Sequence, residues 1–185
     1  LREAPDVIMI GEIRDRNTMK QAIAYAETGH LCLSTLHANN ANQAMERVIN
    51  FFPEEAHRQL LVDLSLNLAG VVSQRLIPGL HEKLVPAVEV MLNSSYISDL
   101  ITKGEFSGIK EAMARSTEIG MCTFDQALYQ LYTEDRISLD EALHNADSRT
   151  DLALRVRLAA GVSTQDAGDL SIDTSSPIQS AARLA

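Results

Sequence analysis

The stretch Asp6-Val-Ile-Met-Ile10 followed by Gly11-Glu12 constrains this chain most. Its large apolar side chains run without alternation. A strand with one wet face alternates, whereas a continuous run suits a strand covered on both faces, as in a parallel sheet. The run stops at Gly11 and a carboxylate follows at once. In open α/β sheets, ligands sit beyond the carboxyl ends of the strands. Glu12 therefore stands where such a sheet does its chemistry.

The next elements fit the same layer. Asp15 to Thr28 carries Met19, Ala22, Ile23 and Ala26 at helical spacing, with Gly29 as the residue that ends the helix. LCLSTLH (31–37) reads as a second buried strand. Asn39, Asn40 and Asn42 supply N-caps for a helix bearing Ala44, Met45, Val48 and Ile49. Pro53-Glu54-Glu55 opens another helix, since Pro suits a first helical position and acids suit the positive end of the dipole. Leu60, Leu61, Leu64, Leu68 and Val71 extend its helical period. RLIPG (75–79) and LVPAVEVML (84–92) read as strands around a turn at Pro78-Gly79. The chain has no Trp and only 4% aromatic residues, so aliphatic side chains and Met must fill the core. That suits helices packed on a sheet, and the fold class is α/β.

From Ser94 onward the pattern is entirely helical. Ser94 or Ser95 caps YISDLITKG, and a helix near 105–118 precedes Gly120. Thr123-x-x-Gln126 and Ser138-x-x-Glu141 each match a capping box. The last helix ends near Ala160. Residues 162–185, rich in Ser, Thr, Asp and Gly, are expected to form a disordered tail.

Charge and composition exclude several functions. A net charge of -9 argues against wrapping nucleic acid, whose phosphates call for a Lys/Arg stripe. Cys32 and Cys122 lie far apart without CxxC spacing, which predicts two reduced, buried thiols in a cytosolic protein. No apolar run approaches the roughly 20 residues of a membrane span. No metal-ligand set, no GxSxG and no phosphate-cradling GxxxxGK[ST] occurs.

The candidate site residues are few. Glu12 can polarise a water as general base, or it can be the ion-pair partner of Arg14; its position fits both. Gly11 lets a backbone or ligand approach closely. His30 and His37 bracket the second strand, and seven extended steps separate them by roughly 23 Å. If the strands are parallel, only His37 shares the Glu12 edge. There it can donate to an anion beside the helix start at 39–42. His30 reads as a structural histidine at a strand start. A carboxylate and an anion-facing histidine with nothing to hold phosphates make half of a site.

Two segments resemble a known family. LREAPDVIMIGEIRD (1–15) resembles the signature of the type II secretion and type IV pilus ATPases. TGHLCLSTLHANNA (28–41) is similar to that family's His box, and the resemblance covers about residues 1–160. It implies the C-terminal part of a RecA-like P-loop ATPase domain at 1–92 and a helical C-terminal region at 93–161. The phosphate-binding half is then expected upstream, leaving this chain inactive alone. The resemblance further implies ATP and Mg2+, and a homo-hexamer or a mixed ring with a related motor. That ring would stand on an inner-membrane pilus platform protein, at the cytoplasmic face of the bacterial inner membrane.

By the same resemblance Glu12 matches the catalytic glutamate and His37 the histidine near the terminal phosphate. Gly11 stands where many other P-loop ATPases carry a Mg-organising Asp. Arg14 and Asp15 complete the motif as structural residues. His30 matches the other His-box position, on the edge away from phosphate. The absence of cysteines after SQRL favours the retraction branch, and the C-terminal helices look most like its PilU type. YISDLI (96–101) places Ser98 and Asp99 where PilT-type members of that branch carry Arg and Asn in AIRNLI. The alternatives are a secretion or pilus-assembly ATPase that lacks the cysteines, or a non-catalytic oligomerisation or regulatory module.

Overall fold

A computed structural model describes residues 5–159. Leu1 to Ala4 of the first motif and the tail expected at 162–185 lie outside the described residues. Strand β1 (Val7–Ile10), helix α1 (Arg16–Glu27) and strand β2 (Leu31–Ser34) form the expected unit, and β1 pairs with β2 in parallel. Asp15 caps α1, its carboxylate accepting from the Thr18 N–H at 2.8 Å. Gly29 follows the helix with φ 88°, a conformation that favours glycine. Met19, Ala22 and Ile23 are buried as their spacing predicts.

Two details of this unit differ from expectation. Strand β2 stops at Ser34 instead of reaching His37. Its partner β1 ends at Ile10, so no ladder remains to extend. Nor is β1 covered on both faces: Val7 is 50% and Met9 75% exposed. Among the described residues, α1 and its neighbours cover only the face carrying Ile10 and Cys32.

Helix α2 (Ala41–Asn50) is capped by Asn40, whose side chain accepts from the Gln43 N–H at 2.9 Å. One 3-10 turn at Glu54–Ala56 leads into α3 (His57–Asn67). The helical period ran on to Val71, yet the helix ends at Asn67. Leu68 is already extended, and Val71 lies in strand β3 (Gly70–Pro78). Strand β4 (Leu84–Leu92) returns antiparallel, with Pro78 opposite Leu84. The expected single layer is therefore two separate two-stranded sheets. Facing residues 31–36 and 70–74 border a gap of about 500 Å³ between β2 and β3.

The C-terminal region holds α4 (Ser95–Lys103), α5 (Ile109–Ala114), α6 (Phe124–Thr133), α7 (Leu139–Asn145) and α8 (Arg149–Ala159). The helix expected at 105–118 is broken into α5 between two short 3-10 turns, and Gly120 ends the segment at φ 92°. The region is not wholly helical either: Cys122 exchanges both backbone hydrogen bonds with Val90 of β4. The Thr123–Gln126 capping box is present on α6, and Ser138 caps α7 through the Glu141 N–H. Cys32 and Cys122 are free thiols, half-buried instead of fully buried, and burial pushes both thiol pKa values up.

Two cores result. One gathers residues from α1 through α5, including Met19, Met45, Leu60, Ile97, Ile101 and Met113. The other packs Ile77, Val85 and Ala87 of the hairpin against Phe124, Leu128 and Leu152. The buried row of β4 runs Val85, Ala87, Glu89, Met91 from the second core into the first. Glu89 is thus the polar step at the seam, only 3% exposed. Its carboxylate accepts from the Ala41 N–H at 2.8 Å, at the first turn of α2. That N–H has no partner within its own helix.

Burial raises the Glu89 pKa, and Asp147 adds to this; the Ala41 and Phe124 N–H groups and Arg75 oppose it. A carboxyl raised in the folded state binds its proton more tightly there than in the unfolded chain, so stability falls as pH rises. The window opens at the ordinary value of 4.5 and closes above the raised one. Glu89→Gln keeps an acceptor for Ala41 and removes this titration. We expect the variant to gain stability relative to the parent as pH rises through that window. Urea unfolding of both proteins over roughly pH 4 to 8 checks it. A stability difference independent of pH contradicts it.

Candidate functional site

The parallel register sets the site. Ile10 lies opposite Ser34, so both strands deliver their next residues to one edge. Beyond the ladder, the Ile13 N–H donates to the Thr35 carbonyl at 2.9 Å. The Thr35 hydroxyl donates to the Gly11 carbonyl at 2.6 Å. These two bonds tie the exits together after regular pairing has ended. Glu12 and His37 then meet, with His37 Nε2 at 2.9 Å from Glu12 Oε1.

The other Glu12 oxygen is also engaged: Arg14 Nε donates to Oε2. Glu12 thus has the ion-pair cation that its sequence position allowed, and the histidine as well. Its side chain is 18% exposed, and that of His37 is 80% exposed. The carboxylate is sheltered while the imidazole faces solvent. An arriving anion meets His37 first, and turning His37 away frees one oxygen of Glu12. An open cleft of about 530 Å³ borders His37 on its α2 side, with Asn39, Gln43, Glu46 and Arg47 on its wall.

The remaining candidates fall into place around this pair. The backbone of Gly11 joins the two exits, and a Cβ added there would meet nothing within 4 Å. Asp15 serves α1 as its cap, and the Thr18 N–H and hydroxyl hold its carboxyl below the usual range. His30 is not part of the cluster. It precedes Leu31, which pairs with Val7 at the opposite end of the strands. Its Nδ1 lies 2.9 Å from the Thr28 hydroxyl and 3.2 Å from the Tyr25 carbonyl. The Tyr25 ring stands edge-on to it. Among the described residues, no group of three or more His, Cys, Asp or Glu side chains is arranged to hold a metal.

Residues 1–155 match the profile of the family described as Type II/IV secretion system protein. The chain belongs to this family. It is 58% identical over 172 residues to the type IV pilus ATPase PilU of Pseudomonas aeruginosa, which covers 92% of this chain and 44% of that relative. The type IV pilus retraction ATPase PilT of the same organism is 36% identical, over 79% of this chain and 42% of the relative. The crystal structure of the pilus retraction motor PilT with bound ADP superposes with a TM-score of 0.75 at 35% identity. That match covers 83% of this chain and 43% of that one.

Within the family the chain lies on the PilT/PilU branch, and it shares the α/β ATPase fold of that structure. It spans less than half the length of these relatives.

The family motifs point to Glu12, Gly11, Arg14, His30 and His37, and miss what braces them. Thr35 is a polar residue at a strand exit, with nothing in sequence to set it apart. Glu89 did carry a signal: a lone carboxylate inside the apolar run LVPAVEVML. A charge there must be bonded or costly.

The geometry separates the two histidines. His30→Ala removes contacts that fasten the α1–β2 joint. A loss of roughly 1 kcal/mol lowers the melting temperature by about 2–4 °C. The His37 side-chain NMR resonances should stay unchanged, because its contact with Glu12 is untouched. Displaced His37 resonances in a folded His30→Ala protein contradict the separation.

Proposed function

We propose that this chain is part of a hexameric, ATP-hydrolysing motor subunit that powers type IV pilus retraction and twitching motility. One observation carries the reading: a sheltered carboxylate and an exposed histidine meet at the carboxyl edge of a parallel strand pair. The PilT/PilU kinship supports the same reading. In it, Glu12 polarises the water that attacks the terminal phosphate, and ADP and phosphate leave. His37 contacts the terminal phosphate, and Arg14 orients Glu12 through its second oxygen. Gly11 keeps the approach open, while His30 supports the site from outside it.

ATP and Mg2+ are the ligands this function requires, and ATP with its Mg2+ supplies the scissile phosphate. This chain's own residues fit the water-positioning part of such a site. The phosphate-holding part is assigned to another segment of the protein. Two strand edges, β2 and β3, face one gap, which supports a site completed by further strands. We assign 1–92 to the ATPase domain and 93–161 to a helical region. No helix among the described residues is long and apolar enough to cross a membrane. The proposed location is the cytoplasmic face of the inner membrane, against a platform protein. Light scattering of the full protein with nucleotide should give the mass of six subunits; monomer alone contradicts the ring.

The Arg14–Glu12 contact favours a second reading, in which Glu12 only fastens the loop after β1. One variant decides between them. Glu12→Gln in the full protein keeps size and hydrogen bonding but loses the charge that polarises water. Turnover should fall by about 10²–10⁴-fold, or roughly 3–5 kcal/mol of barrier, while ATP still binds. A lower melting temperature with turnover preserved supports the fastening role instead. Near-normal turnover by a well-folded Glu12→Gln hexamer removes Glu12 from catalysis.

A further inference from the structure

The segment that carries His37, residues 35–40, is neither strand nor helix. Its setting depends on what holds its two ends. At the first end Thr35 is bonded to Ile13 and Gly11. At the second end the Asn39 carbonyl accepts from Arg75 Nη2 at 3.2 Å, and the next turn is bonded to Glu89 through the Ala41 N–H. Arg75 lies on β3 opposite Ala87, and Ser73 lies opposite Glu89. Arg75 and Glu89 are therefore diagonal neighbours across the hairpin.

The same guanidinium reaches the C-terminal helices. Nη1 donates to the Asn145 carbonyl at 2.8 Å, and Nη2 donates to Asp147 Oδ1 at 2.7 Å. Its plane lies over the Phe124 ring, 3.9 Å from the centroid. The turn it grips is itself fastened: the Asp147 N–H donates to Asp125 Oδ1 at 2.7 Å. Lys110 Nζ joins Asp125 and Asp147 at 2.8 and 3.5 Å. Arginine suits this task because its flat, fixed fork presents several donors while its face stacks on a ring. A single side chain thus bridges residue 39, near His37, and residues 145–147, at the end of α7 and in the turn to α8.

We propose that Arg75 is a positioning residue for His37, holding the Asn39 carbonyl to the α7–α8 turn so that the helical region sets where His37 stands. The proposal rests on the reading that Glu12 and His37 serve hydrolysis. Its physical consequence is that a displacement of the α7–α8 turn is passed to the hydrolytic edge through one guanidinium, without passing through β1 or β2.

The test uses Arg75→Lys in the full protein, with Asp147→Asn as a second variant. Lysine keeps the charge but cannot fork to three acceptors, and asparagine weakens the grip while leaving Arg75 in place. We expect Arg75→Lys to lower kcat on the order of tenfold with little change in KM for ATP, as misplacement of a catalytic group does. In a His37→Ala background the same substitution should cost nothing further, because its effect runs through His37. Backbone amides at 36–41 should exchange faster, and those of β1 should not.

Asp147→Asn should act in the same direction with a smaller effect, and it carries the test if Arg75→Lys fails to fold. Multiplicative losses in the double variant overturn the proposal, because Arg75 then acts elsewhere. Unchanged exchange at 36–41 overturns it as well. Full turnover in both Glu12→Gln and His37→Ala sinks the hydrolytic reading and this role for Arg75 with it. Normal turnover in Arg75→Lys beside a slow His37→Ala sinks only the present proposal.

Discussion

Parallel pairing of β1 with β2 is the constraint on which the candidate site depends. Four residue pairs, Val7–Leu31 to Ile10–Ser34, fix where both chains leave the sheet. A slip of one residue would move one exit by about 3.3 Å and turn its side chains to the other face. Glu12 and His37 would then no longer meet. So short a ladder is a weak guarantee by itself. The Thr35 bonds to Gly11 and Ile13 extend the pairing past the last strand residue and bind the exits directly. Register, exit and contact form one chain of cause.

The second constraint lies at Glu89. A buried carboxylate is expensive, and this one sits in a strand row that is otherwise apolar. Its cost is offset by donors that would otherwise be orphaned. The Ala41 N–H bonds to it from the start of α2, and Phe124 approaches it from the start of α6. Helix N-termini favour a negative charge, so the carboxylate and the helices suit each other. The result joins the two cores at a fixed point of β4. It also places Arg75 beside the loop that carries His37, so the hairpin organises the site from outside it.

Much of this was legible in sequence, for identifiable reasons. The unbroken run DVIMI announced a strand, and Thr123 and Ser138 announced helix starts by chemistry that acts within one turn, while the caps of α2 and α4 were narrowed to Asn39, Asn40 or Asn42 and to Ser94 or Ser95. That Glu12 and His37 share one edge followed from parallel strands, whereas their direct contact is visible only in the structure. The errors arose where tertiary context wins. Leu68 and Val71 continued a helical period, but β3 pairs with β4 from Gly70 onward and takes Val71 with it. Residues 105–118 looked like one helix and are broken at Gly108 and Ser116. The bridge between Cys122 and Val90 was invisible because nothing local encodes it. Arg75 gave no signal either, since its partners lie 36 and 70 or more residues away.

If Glu12 and His37 serve hydrolysis, their edge of the strand pair faces the phosphate of a nucleotide. A crystal structure of the full protein with a non-hydrolysable ATP analogue and Mg2+ decides this. We expect a Glu12 oxygen within about 3 Å of a water beside the terminal phosphate, with His37 turned from Glu12 to a phosphate oxygen. A terminal phosphate bound at the opposite end of β1 and β2, near His30, with Glu12 still closed on Arg14 and His37, would contradict it.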